Sequence, residues 1–105
     1  MPAALDRAFA ALSNPTRRAI VGRLARSAAR VTDIAERFPI SLNAVSKHLK
    51  VLEEAGLVKR RRSGREHHLE LRPAPLREIA RWTSHYESLW QQKLDAPSTA
   101  LGELR

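Results

Sequence analysis

A mostly α-helical fold with one small β-hairpin is what three features of this sequence predict. Apolar residues recur at helical spacing in five stretches of the 105-residue chain. Between the fourth and fifth stretches, over 57–71, the period drops from 3.6 to 2 on either side of Ser63-Gly64. A short and a longer helical stretch are also separated by only three residues, Pro39-Ile40-Ser41. The length suits one domain, and 43% hydrophobic with 29% charged residues is the composition of a globular one. No apolar run is long enough for a bilayer, and Met1-Pro2-Ala3-Ala4 lacks the features of a signal peptide. A cytoplasmic protein without a membrane partner is expected. Cysteine is absent, which removes disulfides, thiolate metal sites and cysteine nucleophiles together.

The elements follow in order. Leu5, Ala8, Phe9 and Leu12 make residues 5–12 a short amphipathic helix. Asn14 is a good N-cap and Pro15 suits the first helical position, so a second helix runs to about residue 27 with Ile20, Val21 and Leu24 inward. A third is expected from Thr32 as N-cap, with Asp33 in its first turn, Ile34, Ala35 and Phe38 inward, and Pro39 as its stop. Ser41 caps a fourth, over 41–55, whose core face is Val45, Leu49 and Leu52, and Gly56 follows where a left-handed C-terminal cap belongs. Short helix, tight turn and longer helix form the pattern of a helix-turn-helix. Strands over 57–62 and 65–71 then pair across a Ser63-Gly64 turn, setting Val58 opposite Leu69 and Arg61 opposite Glu66. A slip to a four-residue loop, which pairs Val58 with Leu71, keeps the same faces. Pro73-Ala74-Pro75 starts a last helix of about 20 residues, roughly 30 Å, to Leu94. The sum is a winged helix-turn-helix, about five helices plus a two-stranded wing, over 1–94, with a frayed tail over 95–105.

Charge separates two jobs. The net charge is +8, of which 1–56 carry +4, the sixteen residues 57–72 another +4, and 73–105 none. Polyanion contact therefore belongs to the first two segments. With Val45, Leu49 and Leu52 inward, the fourth helix presents Asn43, Ser46, Lys47 and Lys50, clustered with Ser41 in the turns that enter a major groove. Asn43 can pair with adenine, and Lys47 can donate to guanine. His48 sits at the edge of the core stripe, where packing or capping competes with base reading. Arg60, Arg61, Arg62 and Arg65 make the hairpin a cationic wing able to reach phosphates. Arg17 and Arg18, in the first turn of the second helix, oppose its dipole and need either a carboxylate or a phosphate. The neutral last helix carries Leu76, Ile79, Tyr86, Leu89 and Trp90 on or beside one stripe, more than a small core needs. With Leu5 and Phe9 of the first helix, they form a candidate surface for a second copy of the chain.

These residues also carry a resemblance. Ser41–Val58, SLNAVSKHLKVLEEAGLV, resembles the recognition helix and strand entry of the ArsR family of winged-helix bacterial regulators. NPTRRAIVGRLAR over 14–26, the RRRSGREHHLEL wing and the long last helix extend the likeness over about 5–94. The resemblance implies a homodimer that binds a near-palindromic double-stranded DNA operator and usually represses. The metal-sensing members differ from this chain. Their thiolate pair would fall near Arg30-Val31-Thr32, and their last-helix pairs at Thr83-Ser84-His85 and Glu87-Ser88-Leu89, which leaves His85 without a set. No metal and no cofactor are therefore expected, and the chain is more similar to members without a metal site, for which no effector is implied.

Other classes fit less well. A metal-responsive regulator is the nearest variant. An architectural or RNA-binding protein would stack bases on aromatics beside its basic elements, but four of the five aromatics lie in the first and last helices. An enzyme is not expected, because the chain has no phosphate loop, HExxH or nucleophile elbow. Ser46 and His48 are two apart on a helix and form no dyad.

Overall fold

The computed structural model describes residues 3–95. Its order is α1 (Ala3–Leu12), α2 (Pro15–Leu24), β1 (Ala29–Arg30), α3 (Val31–Arg37), α4 (Leu42–Glu54), β2 (Val58–Ser63), β3 (Glu66–Leu71) and α5 (Ala74–Leu94). All five expected helices and the hairpin are present. Apart from Asp95, the tail expected over 95–105 lies outside the described residues.

Local signals place the helix ends. The Asn14 carboxamide accepts the Arg17 backbone N–H at 3.1 Å, and the Ser41 hydroxyl accepts that of Ala44 at 3.1 Å. Helix α4 ends in a Schellman arrangement, in which the Leu57 N–H reaches the Leu52 carbonyl and the Gly56 N–H that of Glu53. That closure requires Gly56 at φ +75°, a conformation that penalises any side chain. Leu52 and Leu57, which meet across it, are both fully buried.

Two expectations about local structure are corrected. Thr32 does not cap α3; it lies inside the helix, whose N-cap position is Arg30. The cause is an unforeseen strand. Ala29 and Arg30 are extended because they pair antiparallel with Leu69 and His68, so the change to helix falls at Arg30, whose N–H the Asp33 carboxylate accepts at 3.1 Å. The sheet is consequently three-stranded, in the order β1-β3-β2.

The hairpin register is the slipped one. Val58 faces Leu71, Arg61 faces His68, and Ser63 faces Glu66, so the loop is the two residues Gly64-Arg65 and not the four expected for this register, because Ser63 and Glu66 also pair. Gly64 has φ +62° and, among the described residues, none other than glycine has a positive φ, which matches a turn with glycine at the first of two central positions. The shift is two residues, so the faces are preserved. Val58, Arg60 and Arg62 share the core side with Leu71, Leu69 and His67.

One core unites all of this. Ile20, Ile34, Val45, Leu49, Leu52, Leu57 and Leu69 are fully buried and come from α2, α3, α4, the α4–β2 junction and β3. Helix α5 meets this core through Leu76, and none of its 21 residues is fully buried.

Candidate nucleic-acid interface

The helix-turn-helix is α3, the break 38–41 and α4. Val45, Leu49 and Leu52 hold α4 on the core at zero exposure, which fixes how the rest of the helix turns. Asn43, Ser46, Lys47 and Lys50 are all exposed, as is the capping Ser41. The five polar groups expected to meet bases or phosphates therefore lie together, anchored from behind by leucine and valine.

His48 has a different setting. It is half-buried, and its Nδ1 lies 3.3 Å from an Arg17 guanidinium nitrogen. Arg17 can only donate, so Nδ1 is the acceptor in this contact. Arg17 also donates to the Ala11 carbonyl at 2.7 Å and that of Ala10 at 3.3 Å, while Arg18 donates to the Leu12 carbonyl at 2.8 Å. Within the chain, the compensation of these two arginines comes from backbone carbonyls and not from a carboxylate. They meet the carbonyl end of α1, where helix dipole and unpaired acceptors both favour a cation. Arg17 in this way ties the end of α1 to α4.

The wing arginines divide. Arg60 donates twice to the Glu53 carboxylate, at 2.7 and 2.9 Å, and so braces β2 against the end of α4. Arg61 is ion-paired to Glu70 across the strands. Arg62 donates only to the Gly64 carbonyl at 3.0 Å, and Arg65 is exposed in the turn itself. Among the four wing arginines, Arg62 and Arg65 are therefore the ones most available to a polyanion. Beside the wing, Arg30 bridges Asp33 at 2.9 Å and Glu66 at 3.0 Å. Hydrogen bonding from Arg30 holds the Asp33 carboxyl below its ordinary range.

The expected dimer set also divides. Leu5 is buried by its own chain, and Phe9, Leu76 and Ile79 are half-buried. Tyr86, Leu89 and Trp90 stand 52%, 42% and 54% exposed. Trp82, outside the stripe as read from sequence, packs at a tilt on Tyr86 at 4.8 Å and edge-on to Phe9 at 5.5 Å. Its place three residues after Ile79 and four before Tyr86 is the signal that marks it. His85 packs edge-on against Tyr86 at 5.0 Å. Among the described residues, no three His, Asp or Glu side chains gather as a metal site would need.

A helix-turn-helix with an exposed polar second helix, followed by a cationic hairpin, defines a winged helix-turn-helix DNA-binding regulator. Comparisons narrow the class. Residues 12–61 match a family described as a helix-turn-helix domain. The chain is 48% identical over 71 residues to the HTH-type transcriptional regulator Rv2034 of Mycobacterium tuberculosis, 68% of this chain and 66% of that one. It is 32% identical over 82 residues to the transcriptional repressor SdpR of Bacillus subtilis, 78% of this chain and 91% of that one. The crystal structure of the ArsR family transcriptional regulator RHA00566 matches with a TM-score of 0.82 at 32% identity, over 89% of this chain and 96% of that one. The homodimeric winged helix-turn-helix DNA-binding domain Mb0332 of Mycobacterium bovis matches with a TM-score of 0.63 at 25% identity, over 90% and 85%. The chain belongs to the ArsR family of winged helix-turn-helix transcriptional regulators. It is a DNA-binding regulator and not an enzyme.

Proposed function

We propose that the protein works as a homodimeric repressor that reads a two-fold operator with a pair of α4 helices and steadies itself on the phosphates with its wings. The observation that carries this reading is that α5 leaves Trp82, Tyr86, Leu89, Trp90 and Leu94 exposed while the core is complete without them. A contiguous stripe of this kind at one end of a helix suits a self-complementary contact. The homodimeric state of Mb0332 supports the assembly, and the repressor role named for SdpR supports the sign.

Within this reading Ser41, Asn43, Ser46, Lys47 and Lys50 meet the operator directly, and His48 seats the helix through Arg17. Arg62 and Arg65 supply the free phosphate contacts, with Arg60 and Arg61 setting the shape of the wing. No metal enters the scheme, so operator affinity is the same in EDTA and in micromolar Zn²⁺ at fixed salt. Selection of bound sites from a random DNA pool tests the reading. The expected product is an inverted repeat with half-sites roughly 10 bp apart, centre to centre. Single, unrepeated half-sites would contradict it.

A further inference from the structure

We propose that Leu42 is a specificity-determining residue that recognises the 5-methyl group of a thymine in each operator half-site. The inference deepens the operator-reading role assigned above to α4 and rests on it.

Leu42 is the first residue of α4 and is 55% exposed. Outside α5, the only other large apolar side chain comparably open among the described residues is Val51, at 36%. The start of α4 does not need Leu42 for its seating. Ile40, just before the Ser41 cap, packs on the core, and Val45, four positions into the helix, is fully buried. Residues at these two positions form the usual apolar clasp of a helix start. Leu42 lies between them and is used by neither the core nor the clasp.

Its position gives the exposed side chain a destination. Side chains on a helix tilt toward its N-terminus, so Leu42 projects at the end of α4 that leads into a major groove. Asn43 is its immediate neighbour and Ser46 lies one turn above it, both exposed and both suited to base edges. An apolar group among polar readers discriminates only where the groove floor offers an apolar partner. Of the four bases, thymine alone presents one there, its C5 methyl. Val51 sits in the last turn of the helix, away from this end, and has no such role.

The test uses the intact protein and the operator obtained by selection, with each thymine of a half-site replaced in turn by deoxyuridine. That exchange removes one methyl and leaves every hydrogen-bonding group in place. Fluorescence anisotropy at fixed salt should find one thymine per half-site whose replacement weakens binding about fourfold, the weight of one methyl returned to water. Replacing it in both half-sites should cost about sixteenfold. In Leu42→Ala the same replacement should cost little, while the Asn43 and Lys47 preferences persist. A selected operator insensitive to deoxyuridine at every position, or a Leu42→Ala protein with the wild-type sensitivity, overturns the inference and leaves the operator reading intact. Failure to select any sequence overturns both.

Discussion

Helices α4 and α5 are both amphipathic, yet their apolar faces end in opposite circumstances. In α4 Val45, Leu49 and Leu52 are completely buried, and apart from Leu42 and Val51 the outward face is polar. In α5 nothing is buried, and two tryptophans, a tyrosine and two leucines lie 39–54% exposed. The first helix is finished by its own chain and has a free polar face to offer. The second is unfinished, and its free face is apolar. A free polar face on a fixed support suits hydrogen-bonded recognition of a polyanion, whereas a free apolar face suits association that removes it from water.

Substitutions on the two helices should act with different strengths. The largest effect is expected from Tyr86→Glu with Trp90→Glu. Charges on the unfinished face should separate the protomers and weaken operator binding about 10²–10⁴-fold, since each half-site is then bound without its neighbour. Light scattering and anisotropy on the same sample check both parts. Next is Leu49→Ala in the finished helix, which should lower unfolding stability by about 2–5 kcal/mol in denaturant titrations. Made in the Tyr86→Glu, Trp90→Glu background, Leu89→Ala should change it by no more than about 0.5 kcal/mol, because that leucine packs on little of its own chain. An equal cost at the two leucines would erase the distinction between the helices.

The polar face of α4 should respond in specificity. Asn43→Ala or Lys47→Ala should relax preference at particular base pairs by about 1–3 kcal/mol, with folding unchanged. The wing should respond least, and uniformly across sequences. Arg62→Ala or Arg65→Ala should each flatten the plot of log affinity against log salt by about 0.9. Arg60→Ala should flatten it less and cost under about 1 kcal/mol of stability, as expected for a half-exposed ion pair with Glu53.

The sequence made α4 legible down to its caps, because Ser41, the Val45-Leu49-Leu52 stripe and Gly56 each act locally. The long-range contacts were harder to read. Ala29-Arg30 is a strand only because β3 lies beside it, and two residues carry no period. The register turned on whether Gly64 is the first or second turn residue, and both choices keep the hydrophobic faces aligned. Arg17 and Arg18 looked uncompensated because their partners are backbone carbonyls of α1, to which a side-chain inventory is blind. The expected DNA-contacting residues of α4 do cluster, but the pairing of Arg60 with Glu53 and Arg61 with Glu70 depends on how β2 lies against α4 and β3. The stripe on α5 was visible as a surplus of apolar residues, while the inward turn of Leu5, Leu76 and Ile79 came from the α1–α5 contact.

The proposed completion of α5 by a second copy of the chain is tested by the mass of the wild-type protein in solution. Sedimentation equilibrium at micromolar concentration, without DNA, should give twice the 11.8 kDa of one chain. Tyr86→Glu with Trp90→Glu should return it to the single-chain value with helical content unchanged. A wild-type protein that sediments as 11.8 kDa across that range, with its α5 aromatics still open to water, would show that no second copy completes α5.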